Sequence, residues 1–307
     1  MIKIMIAILQ LVLFIAAAPI LSGLISKIKN NIRLRKGQSI LQPYYNLAKL
    51  FFKGEVVSET ASWIFRVTPI VVLSSTLTAA ALIPVFISSS PMHQAGDFLV
   101  LVFIFALGRF FMALSALDTG SFFGGMGSSR EMFISSLVEP ALCMVIFSIS
   151  LQFGSTDISA FNGIYAVSVS SIVAAIALFL ITIAETSRIP VDNQETHLEL
   201  TMIHEAMVLE YSGRSLAFIE MASYIKQMIF FFLIAQIVFP IALPVFNSLI
   251  QLASWILWYL ARIIIIAISV VLVEVSVAKM RLFRVADFLG FAFVLGIIAV
   301  ICAMLGV

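Results

Sequence analysis

Residues 168–186 read SVSSIVAAIALFLITIAET, an apolar stretch without a charged residue before Glu185. A helix that crosses the ~30 Å hydrocarbon layer of a membrane needs roughly 17 to 25 such residues. Similar stretches recur along the chain, and we count eight in all. The predicted spans are residues 2–26, 67–89, 97–117, 131–153, 168–186, 216–240, 252–278 and 286–306.

The composition of the chain also indicates a membrane protein. Of its 307 residues, 62% are hydrophobic and 11% are charged, and the mean hydropathy is +1.14. A soluble domain is nearer half apolar and a quarter charged, so these values exclude an ordinary soluble enzyme and a disordered chain. Two cysteines, Cys143 and Cys302, are too few for a disulfide scaffold. The sequence therefore predicts an all-α, polytopic protein that forms a single integral membrane domain over residues 1–307.

The basic residues between the spans predict the orientation, because cytoplasmic loops retain lysine and arginine. The first, third, fifth and seventh loops hold lysine or arginine, whereas the second, fourth and sixth hold none. Both termini are therefore expected on the outer side of the cell membrane, with loops 27–66 and 187–215 in the cytoplasm. The first apolar run is too long for a signal peptide and has only Lys3 before it, so we expect it to be retained.

Residues 40–53 of the first loop form a predicted amphipathic helix on the cytoplasmic side. Its apolar residues recur at helical spacing, and its polar residues fall elsewhere on the circumference. The apolar set is Leu41, Tyr44, Leu47, Ala48 and Phe51, and the polar set is Gln42, Asn46, Lys49 and Lys53. Such a helix lies in the membrane interface or packs on neighbouring helices as a brace, and the sequence leaves both alternatives open.

Ionisable residues within the spans concentrate toward the cytoplasmic side. A charge at the bilayer centre costs at least ~2.5 kcal/mol on insertion scales, so such residues usually face a protein interior or a water path. They are Arg109, Glu131, Glu139, Glu185, Glu220, Lys226, Arg262 and Glu274. Glu139 precedes Pro140, and a proline removes a helical hydrogen bond and can open the backbone to water. The cluster predicts a proton relay, with structural ion pairing as the alternative for any single residue.

The fifth loop is the part of the chain richest in polar side chains. It runs from Glu185 through Arg188, Asp192, Glu195, His197, Glu199, His204 and Glu205 to Glu210. On a single helix over residues 195–210, Glu195, Glu199 and Glu210 would fall within about 60° of arc at 100° per residue. Such a helix would carry an acidic face, and the alternative is an ordinary solvated acidic loop.

Metal and phosphate chemistry fit the sequence poorly. His204 and Glu205 lack the second histidine of a zincin motif, and His197 would lie ~10 Å from His204 on a helix, too far to share a metal readily. Two isolated cysteines cannot hold an iron–sulfur cluster, which usually takes four. Residues 124–127, GGMG, lack the following lysine and the flanking strand of a phosphate-binding loop, so we expect a turn there.

Several segments resemble those of a known family. Residues 184–192, AETSRIPVD, with Glu195, Glu199 and 210–213, EYSG, are similar to the fifth-loop signature of one membrane subunit. That subunit links the peripheral and membrane arms in respiratory complex I (its subunit one) and in membrane-bound nickel–iron hydrogenases, including formate hydrogenlyase. Residues 35–37, 41–43 and 49–50 resemble its first-loop signature. Residues 116–121, 129–132, 138–140 and 196–205 are similar to the hydrogenase branch.

The resemblance implies which residues carry the function. The family's channel or chamber acids match Glu139, Glu185, Glu195, Glu199 and Glu210. To these we add Glu131 and Asp192 as further ion-coupling acids, and Arg109, Arg130 and Arg188 as counter-charges. Arg35, Lys36, Lys49 and Lys53 are the candidate docking residues for a peripheral partner.

The leading hypothesis is a membrane-anchor and coupling subunit of a nickel–iron hydrogenase complex of the formate-hydrogenlyase type, moving protons or sodium ions. The chain would hold no cofactor and bind no nucleic acid. The nickel–iron centre and the iron–sulfur clusters would belong to peripheral partners, and antiporter-like subunits would lie beside it in the bilayer. One alternative is the quinone-site subunit of an NADH or ferredoxin dehydrogenase. Another is a free-standing secondary transporter, which the lack of an evident repeat disfavours.

Overall fold

A computed structural model describes residues 2–84, 96–158, 168–192, 202–240 and 249–306. These residues form helices joined by short connections. In chain order the helices are α1 (Ile2–Ile32), α2 (Gln42–Phe52), α3 (Trp63–Leu82), α4 (Phe98–Asp118), α5 (Phe122–Phe153), α6 (Val169–Glu185), α7 (His204–Val208), α8 (Gly213–Val238), α9 (Leu249–Ser276) and α10 (Leu282–Leu305).

The predicted all-α, polytopic membrane fold is confirmed. Within the described ranges, seven helices are long and apolar enough to cross a membrane, and α6 is a shorter apolar helix of 17 residues. Each of the eight predicted spans therefore corresponds to one helix. Three bounds differ by six or more residues, since α1 continues to Ile32, α3 already ends at Leu82 and α5 already begins at Phe122.

The turn expected at residues 124–127 is wrong, because these residues belong to the first two turns of α5. The hydroxyl of Ser121 caps the helix by accepting a hydrogen bond from the Gly124 N–H at 3.1 Å. A Cβ atom on Gly124 would lie 2.3 Å from the Ala116 carbonyl oxygen, and one on Gly127 would lie 2.8 Å from Cβ of Ala206. The glycines allow close packing against α4 and α7 rather than a change of chain direction.

The prediction of a single helix over residues 195–210 is also wrong for residues 202–210, which are the part of it that the structure describes. Only His204–Val208 are helical there, as α7, and Glu210 lies in the turn that follows. Residues 193–201, including Glu195, His197 and Glu199, lie outside the described residues. The start of α7 has a local cause, because a carboxylate oxygen of Asp192 accepts the backbone N–H groups of Ile203 and His204 at 3.3 and 3.2 Å.

The bundle is organised around α8, of which 72% of the membrane-spanning window is buried. α3 packs on α4 and α8, and α5 packs mainly on α10 and α4. α1 contacts both α8 and α9. One end of the bundle carries the connections 33–62, 119–121 and 277–281 and the described parts of the fifth loop, 186–192 and 202–212, and we call it the loop face. The candidate docking residues and the described part of the acidic fifth loop therefore lie at the same end of the bundle.

The predicted amphipathic helix is confirmed as α2, and it packs against protein as a brace. Pro43 and Leu47 are buried, and α2 contacts α8 and α1. The Tyr44 hydroxyl donates a hydrogen bond to the Ala16 carbonyl of α1. The chain that leads into α2 approaches α1 so closely that a Cβ atom on Gly23 would lie 2.0 Å from the Ile40 carbonyl oxygen.

A small apolar cluster beneath the loop face joins α3, α4, α7 and α8. The ring of Tyr211 stacks on Phe65 with the centroids 4.1 Å apart, and its hydroxyl donates to the Phe65 carbonyl at 3.2 Å. Burial raises the pKa of Tyr211 to about 12, so the phenol remains protonated at neutral pH. This contact fixes the connection between α7 and α8 above the start of α3.

Gly23→Ala tests the close approach of α1 to the chain before α2. We expect a thermal midpoint several degrees below the wild-type value, because overpacking costs about 1–3 kcal/mol and the obstacle is backbone. The matched control is Gly290→Ala in α10, where nothing lies within 4 Å of an added Cβ atom. Thermal unfolding of the purified protein in detergent compares the two, and equal midpoints would contradict the close contact.

Tyr211→Phe tests the buried phenol through the pH dependence of stability. The folded-state pKa of about 12 lies above the ordinary value of 10, so the stabilisation by protonated Tyr211 is complete below pH 10 and is lost as the pH rises toward 12. We expect the variant to lose less of its thermal midpoint between pH 9.5 and pH 11 than the wild type. Tyr45→Phe, at an exposed tyrosine, is the control and should keep the wild-type pH dependence.

Candidate functional site

A cavity of about 70 Å³ lies below the loop face, among α3, α4, α5, α6, α7 and α8. We call it the central cavity. Its wall combines charged and hydroxyl side chains with apolar ones. The polar lining residues are Ser75, Thr76, Arg109, Glu131, Glu185, Thr186, Ser187, His204, Ser223 and Lys226. Because several lining groups are polar and the space exceeds that of one water molecule, the cavity suits a few ordered waters beside those groups.

Four of the intramembrane charges form one network beside this cavity. Arg109 of α4 binds Glu139 of α5 at 2.7 Å and also pairs with Glu185 of α6. The other oxygen of Glu185 lies 2.5 Å from Nζ of Lys226 in α8. The Glu185 side chain is only 2% exposed, so its charge is removed from water and requires both partners. The network Glu139–Arg109–Glu185–Lys226 thus contains two acids and two bases drawn from four helices.

Glu139 is the outer end of this network. It lies in α5 directly before Pro140, and α5 continues through the proline. Its side chain is 39% exposed, compared with 10% for that of Arg109. A carboxylate at this depth is therefore held from inside by Arg109, while part of it faces away from the bundle.

The chain leaves α6 through a turn that separates Glu185 from Arg188. Ser187 has φ +50°, and the N–H groups of Ser187 and Arg188 bond to the carbonyls of Ala184 and Ile183. This pair of bonds is the Schellman pattern that ends a helix, with serine at the position where glycine is usual. The turn directs Glu185 into the central cavity and Arg188 toward α9.

A second network lies on the far side of that turn. Glu274 of α9 pairs with Arg188 at 2.7 Å and with Lys29 of α1 at 3.2 Å. Nearby, Asp192 pairs with Lys279 at 2.7 Å in addition to binding the start of α7. The segment 186–192 is thereby attached to α1, α7 and α9 through charged groups.

The central cavity has a neighbour between α7 and α8. This space, about 180 Å³, shares His204, Ile219 and Ser223 with the central cavity and is also lined by Glu205, Glu220 and Tyr224. Polar side chains therefore line a path from the network, through the central cavity, to the space beside α7.

The structure brings together several of the predicted site residues. Glu185, Glu139 and Arg109 are in direct contact, and Glu131 lines the central cavity. Arg188 pairs with Glu274, an acid outside the predicted set, and its role as a counter-charge in ion coupling stays a prediction.

Other predicted residues have different surroundings. Arg130 donates to the Met202 carbonyl at 2.8 Å and so holds the fifth loop. Asp192 is 1% exposed and anchors backbone, and Glu210 is not among the residues that line the cavities described above. The candidate docking residues Arg35, Lys36, Lys49 and Lys53 are all exposed on the loop face.

Sequence reasoning missed four members of the two networks. Lys226 and Glu274 are among the charges within the predicted spans but not among the predicted site residues. Lys29 and Lys279 belong to the basic loops that predict the orientation. Intramembrane position was the available signal for Lys226 and Glu274, since such charges are seldom left unpaired. Among the described residues no group of three or more His, Cys, Asp or Glu side chains is arranged to hold a metal ion.

Comparison with known proteins supports the resemblance seen in the loops. Hydrogenase-4 component C of Escherichia coli (strain K12) is 32% identical over 292 residues, which cover 93% of this chain and 92% of that protein. Formate hydrogenlyase subunit 4 of the same organism is 34% identical over 226 residues, covering 72% and 73% respectively. NADH-quinone oxidoreductase subunit 8 of Rhodothermus marinus is 28% identical over 212 residues, covering 65% and 60%.

A solved structure shows the same fold. It is a chain in the membrane-bound sulfane sulfur reductase, an archaeal respiratory membrane complex, and it matches with a TM-score of 0.80 at 18% identity over 99% of this chain and 100% of that one. A profile of the family described as NADH dehydrogenase matches residues 3–305. The chain is thus a multi-pass membrane protein that belongs to the NADH dehydrogenase subunit 1 family.

Proposed function

We propose that this protein is the non-redox membrane-anchor and coupling subunit of a membrane-bound nickel–iron hydrogenase complex of the formate-hydrogenlyase type. In this role it links electron transfer in a peripheral arm to the translocation of protons or sodium ions. The observation that carries the proposal is the network Glu139–Arg109–Glu185–Lys226 beside the central cavity. Two of the relatives described above, a hydrogenase-4 component and a formate hydrogenlyase subunit, support the choice of complex.

The network suits ion coupling because one buried carboxylate is shared by two cations. While Glu185 is ionised, it balances Arg109 and Lys226 together. Protonation of Glu185 would leave two cations close to each other with a single remaining acid, Glu139, so their arrangement would have to change. Arg109 Nε, which is buried and has no hydrogen-bond partner among the described residues, offers a donor to a water molecule in either arrangement. A proton on Glu185 is therefore coupled to the positions of α4 and α8.

The exposure of Glu139 supports a neighbouring membrane subunit. A carboxylate that faced lipid would carry the cost of a charge in hydrocarbon, and Arg109 covers only its inner side. A polar or ionisable surface of an adjacent subunit would cover the outer side. We assign this place to an antiporter-like subunit, which would receive ions from the Glu139 end of the network.

The loop face supports docking of the peripheral arm. Arg35, Lys36, Lys49 and Lys53 are exposed there, and they lie close in sequence to Leu34 and Phe52, whose exposed fractions are 96% and 92%. Large exposed apolar side chains rimmed by charge are typical of protein–protein interfaces. The partners would be the hydrogenase large and small subunits with their iron–sulfur proteins, and these would hold all the redox centres. The loop face would then lie in the cytoplasm, with both termini of the chain outside.

The size of the central cavity favours the hydrogenase over the quinone-binding alternative. Pockets that hold organic ligands measure about 300–1,000 Å³, whereas the central cavity measures about 70 Å³. A space of this size suits a few water molecules better than a quinone ring. A stand-alone transporter would leave the exposed side of Glu139 and the apolar residues of the loop face uncovered.

Glu185→Gln and Glu139→Gln test the network directly. We expect each to slow ion-coupled turnover by at least about tenfold, because a proton-exchanging side chain commonly contributes more than that. Ion translocation into vesicles and hydrogen evolution by the intact complex are the measurements. Asp287→Asn is the matched control, since Asp287 is an exposed acid of α10 near the same face. Wild-type translocation by a complex that carries both glutamine substitutions would remove the network from the mechanism.

The double variant Glu185→Gln/Lys226→Met separates structure from turnover. The single Glu185→Gln variant leaves two cations with one acid, and breaking a buried pair costs about 3–5 kcal/mol. The double variant restores equal numbers of acids and bases, so we expect assembly at the wild-type level without recovery of ion-coupled turnover. Recovery of turnover along with assembly would show that Glu185 is only a structural partner.

Charge reversal of the loop face tests docking. We expect the combined variant Arg35→Glu/Lys36→Glu/Lys49→Glu/Lys53→Glu to lose nickel and iron from the complex purified in gentle detergent, while the membrane subunits are retained. Metal analysis and the list of co-purified subunits give the result. An unchanged metal content would place the peripheral arm elsewhere, and a wild-type chain that purifies alone would support the transporter alternative.

A further inference from the structure

A third space, of about 170 Å³, lies between α1, α9 and the segment 187–192, and we call it the side cavity. Ser187 lines both the side cavity and the central cavity. Ser187 is thus the residue that the two spaces share.

The walls of the side cavity are built from charged and hydroxyl groups. Lys29, Asp192 and Glu274 contribute to it although they are only 7%, 1% and 3% exposed. Ser22 and Ser26 of α1 add hydroxyl groups, and the exposed Gln38 marks its edge on the loop face. A polar cavity of this size accommodates several water molecules.

One buried donor in the wall specifically indicates water. Nε of Arg188 is buried and has no hydrogen-bond partner in the part of the chain that the structure describes. The guanidinium already uses Nη1 to bind Glu274, so its orientation is fixed. Buried donors in proteins are satisfied by protein or by ordered water, and the adjoining cavity provides the space for a water molecule.

Ser187 occupies its position at a conformational cost that glycine would avoid. Its φ of +50° lies in the left-handed region, and glycine is the usual residue at this place in a Schellman turn. Serine contributes a hydroxyl group that can donate to one water molecule and accept from another. A hydroxyl group at the junction of two polar cavities is what a continuous water chain would use.

We propose that the side cavity is a water-filled branch of the central cavity, that Ser187 joins the two, and that Glu274 is the proton-exchanging residue of the branch. The assignment rests on the proposed function. A proton from the loop face binds a carboxylate oxygen of Glu274 and weakens its pairing with Lys29 and Arg188. It then passes through water at Ser187 to Glu185, and Glu274 is ionised again, so one proton moves with no net change in the branch.

Accessibility of Ser187 from the side cavity gives the first test. The intact complex carries Ser187→Cys in a Cys143→Ala/Cys302→Ala background and is exposed to a small cationic methanethiosulfonate reagent. We expect the new thiol to be modified, and the modification to be lost when Ser26→Leu fills the side cavity with an apolar side chain. Ser26→Ala, which adds no volume, should preserve it. An unreactive thiol, or equal reactivity with Ser26→Leu, would overturn the water branch.

Ion-coupled turnover gives the second test. We expect Glu274→Gln and Ser26→Leu each to slow proton translocation in vesicles, with Asp287→Asn unchanged. If Glu274→Gln prevents assembly, Ser26→Leu decides the question, because it leaves the pairs of Glu274 with Lys29 and Arg188 in place. Normal translocation by Ser26→Leu would overturn the branch as a proton path.

The two tests separate this inference from the proposed function. Impaired translocation by Glu185→Gln together with normal translocation by Ser26→Leu would reject the branch and retain the proposed function. Normal translocation by Glu185→Gln would reject the proposed function, and thiol labelling at position 187 would then decide by itself whether the two cavities share water.

Discussion

The structure depends on carboxylates that are each shared by two cations from different parts of the chain. Glu185 holds Arg109 and Lys226, and Glu274 holds Lys29 and Arg188. A charge at membrane depth must be paired, since an unpaired one is very costly. Sharing one acid between two bases joins three segments at a single point, which a simple pair cannot do. Protonation of such an acid would weaken two pairs at once, because both cations lose one of their negative partners.

This constraint also explains why the loop-face half of the bundle is held together by polar groups. Helices in a membrane gain little from burying apolar side chains against each other, because lipid is equally apolar. Their association relies on small residues that allow close approach and on polar contacts between helices. In α5, Gly124 and Gly127 are the small residues that allow close approach, and the two networks supply the polar contacts between helices. The side chains that hold the helices together are therefore the same ones to which we assign the proposed function.

The features that could be predicted from the sequence are local ones. The eight spans follow from the lengths of apolar runs, and α2 follows from the spacing of Leu47, Phe51 and their neighbours. The glycines at 124–127 were misread because their composition is that of a turn, whereas their helical state depends on a cap and on the closeness of α4 and α7. The pairing of Lys29 with Glu274, 245 positions apart (274 − 29), depends on how α1 and α9 pack. No local pattern contains that information.

The segment 186–192 connects the two networks and lies on the loop face. Glu185 and Arg188 flank the turn at Ser187, so the backbone that orients one of them also orients the other. Asp192 extends the connection to the first residues of α7 and to Lys279. A partner that moves this segment would change the surroundings of Glu185 and Glu274 together. The turn carries Glu185 on one side and Arg188, which pairs with Glu274, on the other. The coupling that we propose between a docked arm and ion movement would then need no long chain of contacts, since one short turn carries both networks.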